Sequence, residues 1–265
     1  MVYYANGSAS DEQDLVGDLH TFLTSTIGEW TRVGIITDTA TDKDYVYKSQ
    51  GTNPGMYRDL YIRIRGYGNY IYLYGYSYWE SVGVNDGELH HSTYSKVSVG
   101  AAAIPYWFFG DEDHFWIVAK NDVTYYSGHA GYLDTYYTPT DDDLPMVIIG
   151  HSSASYGLSS NRMYSYSPVV SGTNVAYTTS TSLQSQFLIY ADPNDRDGAQ
   201  GHVPYVIYTT AAGQTEVRGE LKGVLYFSGN TLVSEDWVTI SGTSSKFFIR
   251  RYSATVCEGF GPVPV

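Results

Sequence analysis

The sequence is poor in cysteine and in charge. Its single cysteine, Cys257, excludes both an intramolecular disulfide framework and a zinc site built from cysteines. Charged residues make up 16% of the 265 residues, and 28 acidic side chains outnumber 15 lysines and arginines. The resulting formal charge of -13 repels phosphate backbones and anionic membranes at long range. We therefore expect no nucleic-acid partner.

Long apolar segments are absent from the sequence as well. No apolar run approaches the roughly 20 residues that a membrane-spanning helix needs. The first residues, MVYYANGSASDEQD, contain no basic region followed by an apolar core, which a signal peptide requires. We expect no membrane span and no signal peptide, and together with the low cysteine content this favours a cytosolic origin.

Tyrosine, in contrast, is abundant, with 28 residues. Residues 57–78, YRDLYIRIRGYGNYIYLYGYSY, predict a β-hairpin whose arms pair about Tyr67 and Gly68. Because side chains alternate between faces, one face is aliphatic, with Ile64 opposite Ile71 and Ile62 opposite Leu73. The other face is aromatic and cationic.

The predicted register places Arg65 opposite Tyr70, Arg63 opposite Tyr72, Tyr61 opposite Tyr74 and Tyr57 opposite Tyr78. A solvated sheet face needs only small polar side chains, so a row of tyrosines indicates a contact surface. Tyrosine and arginine are enriched at protein interfaces. The predicted interface residues are Tyr61, Arg63, Arg65, Tyr70, Tyr72, Tyr74, Tyr76 and Tyr78.

One helix is predicted near the start of the chain. Ser10 and Gln13 have the spacing of a capping box, and acidic residues follow Ser10 at the positive end of the helix. Gly28 is the predicted end. Apolar residues recur between them at helical spacing, at Leu15, Val16, Leu19, Phe22 and Leu23. We expect this helix to cover one face of a sheet.

Most of the remaining sequence has the pattern of strands. Residues 104–122 contain two nearly continuous apolar runs separated by the turn sequence GDED, which predicts a central hairpin buried on both faces. Strand patterns return in the C-terminal third, at intervals of roughly 10 residues. The predicted fold class is mainly β (α+β), with antiparallel sheets forming a sandwich- or barrel-like body and one N-terminal amphipathic helix.

The domain organisation follows from the absence of repeats and sharp changes of composition. We predict a single β-rich domain over residues 1–265, with sub-lobes at 1–150 and 183–265. The segment between them, 151–182, is rich in serine, threonine, tyrosine and glycine and is interpreted as long loops. A domain boundary within this segment is the alternative.

The strongest catalytic motif is Gly150-His151-Ser152-Ser153-Ala154, which follows the apolar strand MVIIG. It has the form of a hydrolase nucleophile elbow, in which a helix must come next. The following residues, SYGLSSNRMYSYSP, have no helical pattern, and Ala154 occupies the place of a glycine. We interpret Ser152 as part of an ordinary strand-to-loop junction and predict no catalytic residues.

Three acidic or histidine-containing segments are candidate metal sites. Residues 88–91 and 111–114 combine carboxylates with histidines, and both are interpreted as solvated loops. Residues 192–198, DPNDRDG, resemble a calcium loop, but Arg196 and Val203 occupy positions where that loop needs ligands. We predict no metal and no cofactor, while an irregular calcium site at the acidic loops stays open.

Glycan chemistry provides two further interpretations. Paired carboxylates are numerous, and a glycosidase needs two of them flanking a sugar-binding cleft. Exposed tyrosines with acidic and amide groups also describe a carbohydrate-binding surface, on which rings stack against sugars. The binding interpretation is favoured over hydrolysis.

Residues 104–153, IPYWFFGDEDHFWIVAKNDVTYYSGHAGYLDTYYTPTDDDLPMVIIGHSS, resemble a family of structural proteins encoded in the tail gene clusters of tailed bacteriophages. The shared pattern is an IPYWF strand, a turn, a strand ending in VAK, a passage into a TP loop and an IG-x-SS element. The segments DLHTFLTSTIGEW and ELKGVLYFSGNTLVSEDWVTISGTSSKFFIRRY are similar to the same family. The acidic GDED turn and the ending CEGFGPVPV depart from its pattern.

The resemblance implies a non-enzymatic virion component, in the tail or baseplate, that is assembled in the host cytoplasm. The expected partners are further copies of the chain and other virion proteins. A host-receptor or glycan-binding adhesin module, with a host surface glycan as partner, is the alternative, and a glycan or ester hydrolase is a further one. The family has no assigned catalytic residues, so none are transferred.

Overall fold

The fold is seen in a computed structural model that describes residues 2–52, 59–76, 79–80, 94–101, 103–135, 146–151, 163–165, 176–178, 202–211, 214–228, 232–240, 242–251 and 256–265. Antiparallel strands in two large sheets and one small one make up most of this structure, together with one N-terminal helix. The predicted fold class, mainly β with antiparallel sheets and one helix, is confirmed.

The helix α1 spans Glu12–Thr21 and continues as a π-helical segment, Phe22–Ile27. Its capping residue is Asp11, whose carboxylate accepts a hydrogen bond of 2.8 Å from the backbone N–H of Asp14. The prediction of Ser10 as the capping residue is wrong, because the Ser10 hydroxyl donates to the Asp14 side chain instead. Gly28 ends the segment as predicted, with φ 84° in the left-handed region.

The first sheet contains five strands in sequence order. They are β2 Thr31–Asp38, β3 Lys43–Ser49, β4 Leu60–Tyr67, β5 Tyr70–Tyr76 and β6 Ser95–Ser98. Strands β4 and β5 form the predicted tyrosine-rich hairpin. Its two faces are as predicted, since Ile62, Ile64, Ile71 and Leu73 are fully buried on the inner face.

The register of this hairpin differs from the predicted one by two residues. The turn is centred on Gly68 and Asn69, both with positive φ (63° and 69°), as the tightest hairpin turns require. Tyr67 therefore pairs with Tyr70, Arg65 with Tyr72, Arg63 with Tyr74 and Tyr61 with Tyr76. A shift of two leaves every side chain on its predicted face. The predicted pair Tyr57 and Tyr78 lies outside the described residues.

The second sheet has ten strands, in the order β1-β7-β8-β9-β14-β17-β16-β15, with β10 on β9 and β13 on β14. Its strands are β1 Tyr3–Ala9, β7 Ile104–Gly110, β8 His114–Asn121, β9 Thr124–Thr135, β10 Met146–Gly150, β13 His202–Ala211, β14 Gln214–Ser228, β15 Trp237–Thr239, β16 Ser245–Arg251 and β17 Val256–Pro264. The remaining strands, β11 Met163–Ser165 and β12 Ala176–Thr178, form a separate pair.

The ten-stranded sheet curls so that side chains near its two ends come into contact. The ring of Tyr4 on β1 packs edge-on against Trp237 on β15, with centroids 5.2 Å apart. Phe109 on β7 also contacts Trp237, at 6.4 Å. The curl therefore encloses its own apolar core, which includes Trp116 and Phe260.

A second core lies between the curled sheet, the five-stranded sheet and α1. Strands β7 and β8 supply both cores, because alternate residues such as Phe108 and Phe109 belong to different clusters. The predicted burial of this hairpin on both faces is confirmed.

Gly66 on β4 lets α1 approach closely, since a Cβ atom there would lie 2.6 Å from the Glu12 carbonyl oxygen.

Strand β9 of the first predicted sub-lobe pairs with β14 of the second, through Thr135 and Gly219. Most of the predicted loop segment 151–182 lies outside the described residues, so the division into sub-lobes stays a prediction. Within the described part of the chain, no helix is both long and apolar enough to cross a membrane.

Candidate interface on the tyrosine-rich sheet face

The outer face of the hairpin β4–β5 brings together seven of the eight predicted interface residues. We call this surface the tyrosine face, which consists of Tyr61, Arg63, Arg65, Tyr67, Tyr70, Tyr72, Tyr74 and Tyr76 with Tyr94 and Lys96 beside them. Tyr67 shares the face because it pairs with Tyr70, although it was not among the predicted residues. Tyr78 lies outside the described residues.

Both arginines of the tyrosine face are held by aspartates of the neighbouring strand and turn. Arg63 donates two hydrogen bonds to Asp44, of 2.8 and 2.7 Å, and Arg65 donates two to Asp42, of 2.9 and 2.6 Å. Such fork-like pairs fix a guanidinium in one orientation. Burial opposes the charge of Arg63, but the hydrogen bonds to Asp44 and Tyr76 outweigh it and raise its pKa.

Cationic side chains lie over the tyrosine rings. The Arg63 guanidinium carbon is 4.6 Å from the ring centroid of Tyr74, and that of Arg65 is 4.7 Å from the centroid of Tyr67. The Lys96 ammonium lies 4.3 Å from the centroid of Tyr70. Each distance is within the range of attractive cation–π contacts.

The rings also contact one another edge to face. The ring centroids of Tyr72 and Tyr94 are 4.7 Å apart, and those of Tyr74 and Tyr94 are 5.7 Å apart. Tyr76 packs in the same way on Trp79, at 5.3 Å. These arrangements are the favoured ones for aromatic pairs. The rings therefore contact one another within the single chain, without a partner.

Exposure increases along the tyrosine face towards the turn. Tyr76 and Tyr74 are buried at 4% and 9% exposure, whereas Tyr67 is 50% exposed. Tyr70 and Tyr72 lie between these extremes. Burial raises the pKa of Tyr74 to about 12, although the nearby Arg63 opposes this shift. The surface that a partner can reach thus includes Tyr67, Tyr70 and Tyr72, together with Tyr94, which is 38% exposed.

A second cluster of polar side chains lies at the turn between β7 and β8. The interpretation of residues 111–114 as a solvated loop is wrong, because Asp113 and His114 are only 4% and 1% exposed. Asp113 accepts hydrogen bonds from the backbone N–H of Thr52 at 2.7 Å and from the Lys222 ammonium at 2.6 Å. The turn thus connects three distant parts of the chain.

Asp111 completes this cluster. Its Oδ1 atom accepts from the backbone N–H of Asp113 at 2.9 Å and lies 2.8 Å from Nδ1 of His114. Burial disfavours the charge of both aspartates, but these hydrogen bonds, with those from Lys222 and Thr52 to Asp113, prevail and lower the two pKa values. The carboxylates are ionised and serve as structural acceptors.

A third cluster lies at the end of β10, beside the Gly150–Ala154 motif that was interpreted as a strand-to-loop junction. The Arg250 guanidinium donates to Ser127 Oγ at 2.7 Å and to Glu258 at 2.8 Å, and it lies 2.8 Å from His151 Nδ1. All four side chains are buried, and the Ser127 hydroxyl accepts a hydrogen bond from the Arg250 guanidinium. Burial raises the pKa of Glu258, against the opposing effect of Arg250. Ser152 itself lies outside the described residues.

The described ranges lack a cluster of metal-binding side chains. They contain no group of three or more histidine, cysteine, aspartate or glutamate side chains that could hold an ion. The candidate segments 88–91 and 192–198 lie outside them. Comparison with known proteins gives no assignment, because no family model and no curated protein matches the chain.

Proposed function

We propose that the chain is a non-enzymatic structural component of a tailed-phage virion, in the tail or baseplate, and that the tyrosine face is an assembly interface. The partner is a further copy of the chain or another virion protein. The observation that carries the proposal is the ordered set of Tyr67, Tyr70 and Tyr72, partly exposed and backed by neutralised arginines.

Preorganisation supports an interface because it lowers the entropy lost on binding. Ordering a flexible side chain at an interface costs about 0.5–1.5 kcal/mol. The rings of Tyr70 and Tyr72 already contact each other, with centroids 6.0 Å apart, and Lys96 lies over Tyr70. A partner that covers them therefore gains apolar contact at small cost.

Charge neutralisation supports a protein partner rather than an anion. Arg63 and Arg65 each form an ion pair with an aspartate. Neither arginine is therefore free to attract phosphate or sulfate groups. The tyrosine hydroxyls supply polar groups at the rim, as in ordinary protein interfaces. This agrees with the negative net charge of the chain.

The proposal is tested by protection of the tyrosines in the particle. Tyrosine nitration, read out by mass spectrometry, compares the isolated chain with the purified virion. We expect Tyr67, Tyr70 and Tyr72 to react in the isolated chain and to be protected in the virion, while Tyr3, exposed on β1, reports general accessibility. Equal reactivity of the three rings in both samples would contradict the proposal.

A substitution complements the chemical test. Tyr70→Ser combined with Tyr72→Ser removes two rings of the accessible surface, and Tyr3→Ser is the matched control. We expect the double variant to weaken self-association or incorporation into particles at least tenfold, measured by sedimentation, with an unchanged circular dichroism spectrum. Wild-type assembly by the double variant would refute the assignment of this face.

The exposure of Tyr67 favours glycan binding as the second candidate function. At 50% exposure, this ring at the tip of the hairpin presents apolar surface beside Tyr70, as a sugar-stacking site does. Glycan-array binding that is abolished by Tyr72→Ala, with assembly unchanged, would identify an adhesin. Assembly lost with no glycan bound would identify the structural role.

A further inference from the structure

We propose that Tyr72 and Tyr94 form an oxidative modification site, at which a one-electron oxidant joins the two phenol rings through a carbon–carbon bond. Their ring centroids are 4.7 Å apart, the shortest separation of two tyrosine rings within the described part of the chain. The product is a dityrosine, which forms only between rings that come into contact. The site needs a single isolated chain, so it goes beyond the proposed assembly and does not depend on it.

The pairing of β5 with β6 brings Tyr94 against the tyrosines of β5. Strand β6 begins at Ser95, which pairs with Leu73. Side chains alternate between the faces of a sheet, so Tyr94, one position before Ser95, lies on the face of Tyr72 and Tyr74. Its ring meets both of theirs edge to face, at 4.7 and 5.7 Å. The contact with Tyr72 therefore joins two different strands of the sheet.

Exposure decides which neighbour of Tyr94 reacts. Tyr94 is 38% exposed and Tyr72 is partly exposed, so an oxidant in solution reaches both phenols. Tyr74 is only 9% exposed, and the Arg63 guanidinium lies over its ring. Coupling of Tyr94 with Tyr72 is therefore favoured over coupling with Tyr74 by both distance and access.

Other tyrosines of the described residues lack one of these features. Tyr45 and Tyr47 are 6.4 Å apart, but both are buried. Tyr3 is as exposed as Tyr94, at 38%, but its ring contacts no other tyrosine in the described ranges. Tyr3 can therefore couple only with a second chain, which makes it a control for exposure without proximity.

The coupling removes one electron and one proton from each phenol. The electrons pass to the oxidant and the protons to water, and each ring becomes a radical shared by its oxygen and its ortho carbons. A bond then forms between one ortho carbon of each ring, and the hydrogen on each of these carbons moves to the phenol oxygen as a proton. The product has thus lost two hydrogen atoms. The oxidant belongs to the class of high-valent metal complexes, such as a peroxide-activated haem or ruthenium(III).

The new bond would fasten one edge of the five-stranded sheet. Strand β6 is the last strand of this sheet and has only four residues, Ser95–Ser98. A link between Tyr72 and Tyr94 closes the chain between β5 and β6 into a loop, and a covalent loop stabilises a protein mainly by restricting the unfolded chain. We expect the cross-linked chain to melt a few degrees higher than the untreated one. An unchanged melting temperature would refute this fastening.

The experiment is photo-oxidation of the isolated chain with a tris(bipyridine)ruthenium complex, persulfate and visible light. Ruthenium(III) takes an electron from each phenol, and persulfate is the final electron acceptor. Isotopically heavy and ordinary chains are mixed in equal amounts before illumination. We expect digestion to release a peptide that contains Tyr72 joined to Tyr94, lighter by two hydrogen atoms and with both halves of one isotopic type.

Two results would overturn the intrachain site. One is the absence of the joined peptide while Tyr3 and other exposed tyrosines are oxidised. The other is a joined peptide whose halves are of mixed isotopic type. This second result would place Tyr72 of one chain against Tyr94 of another, and it would support the tyrosine face as a contact between copies.

Conservative variants locate the site. Tyr72→Phe and Tyr94→Phe each keep the ring but remove the hydroxyl, and we expect each to lose most of the dityrosine fluorescence of the monomer. Tyr3→Phe removes an equally exposed phenol and should leave that fluorescence unchanged. An unchanged circular dichroism spectrum shows that each variant folds. Fluorescence retained in both Tyr72→Phe and Tyr94→Phe would assign the coupling to other tyrosines and refute the proposal.

Discussion

The guanidinium of Arg63 lies over the ring of Tyr74, its opposite neighbour on β5, with the guanidinium carbon 4.6 Å from the ring centroid. The same guanidinium is bound by Asp44, which is 2% exposed in its side chain. One aspartate of β3 therefore fixes both the cation and the ring. The order of the tyrosine face depends on this side chain.

The first prediction concerns Asp44. We expect Asp44→Asn to lower the free energy of unfolding by about 2 kcal/mol, because it leaves the Arg63 charge without its partner in a largely buried place. Asp59→Asn is the matched control, since Asp59 pairs with Lys48 at 2.6 Å on the surface and should contribute at most about 1 kcal/mol. Urea unfolding measures both variants. Equal losses of unfolding free energy in the two variants would show that the Arg63–Asp44 pair contributes no more to stability than the more exposed Lys48–Asp59 pair.

The second prediction concerns the contact between α1 and β4. We expect Gly66→Ala to lower the free energy of unfolding by about 1–3 kcal/mol, because the added methyl group would lie 2.6 Å from the Glu12 carbonyl oxygen. Gly17→Ala, in the helix itself, should raise it by about 0.5–1 kcal/mol, since alanine is the better helix former and only the flexible end of Lys43 is near. Thermal unfolding distinguishes the destabilisation expected of Gly66→Ala from the stabilisation expected of Gly17→Ala. A stabilised Gly66→Ala variant would contradict the close approach.

The third prediction is a loss of stability in acid. His129 is fully buried, and burial with the neighbouring His114 lowers its pKa well below the ordinary value of 6.5. The unfolded chain therefore binds a proton that the folded chain excludes, and stability decreases as the pH falls below about 6.5. The lowered pKa values of Asp111 and Asp113 add a further decrease as the pH falls below about 4.

Urea unfolding at a series of pH values measures this dependence. We expect His129→Gln to reduce the slope of unfolding free energy against pH between about 6.5 and 5, because the titrating group is removed. The slope below about 4 should persist, since both aspartates remain. An unaltered slope in the upper range would assign the acid sensitivity to other groups.

The fourth prediction is delayed ionisation of several tyrosines. Burial, with hydrogen bonds from the phenols to Asp38 and Asp18, raises the pKa values of Tyr45 and Tyr106 to about 12, and burial does the same for Tyr74. We expect an ultraviolet titration with a late phase that disappears in urea, where all phenols titrate near 10. Tyr74→Phe should reduce the amplitude of this phase. Because these groups keep their protons longer in the folded chain, stability decreases as the pH rises above about 10.

The faces of the hairpin could be predicted from the sequence, and its register could not. Alternation of Ile62 and Ile64 with Arg63 and Arg65 fixes the faces whatever the turn is. The register depends on which two residues adopt positive φ, and Gly68 with Asn69 does so more readily than Tyr67 with Gly68. The correct turn could therefore be predicted from the preference of glycine and asparagine for positive φ, although the hydrophobic pattern alone did not indicate it.

The buried turn at 111–114 could not be predicted from local sequence. Three acidic residues in a row are typical of a solvated loop, and the neighbours that bury them come from far along the chain. Lys222, which binds Asp113, is 109 positions away, and Trp30, which donates to the Asp111 carbonyl, is 81 positions away. Only the folded arrangement brings these partners together.

The capping residue of the helix was misassigned for a smaller reason, because Ser10 and Asp11 are both good capping residues.

The contact between Tyr4 and Trp237 also constrains the order in which the chain can fold during its synthesis. Strand β1 can pair with β7 early in synthesis. The ring of Tyr4 can pack against Trp237 only after β15 has been synthesised. Until then, the apolar interior of the curled sheet is open to water and to other nascent chains. We therefore expect the core of the curled sheet to be completed only after the last strands have been synthesised.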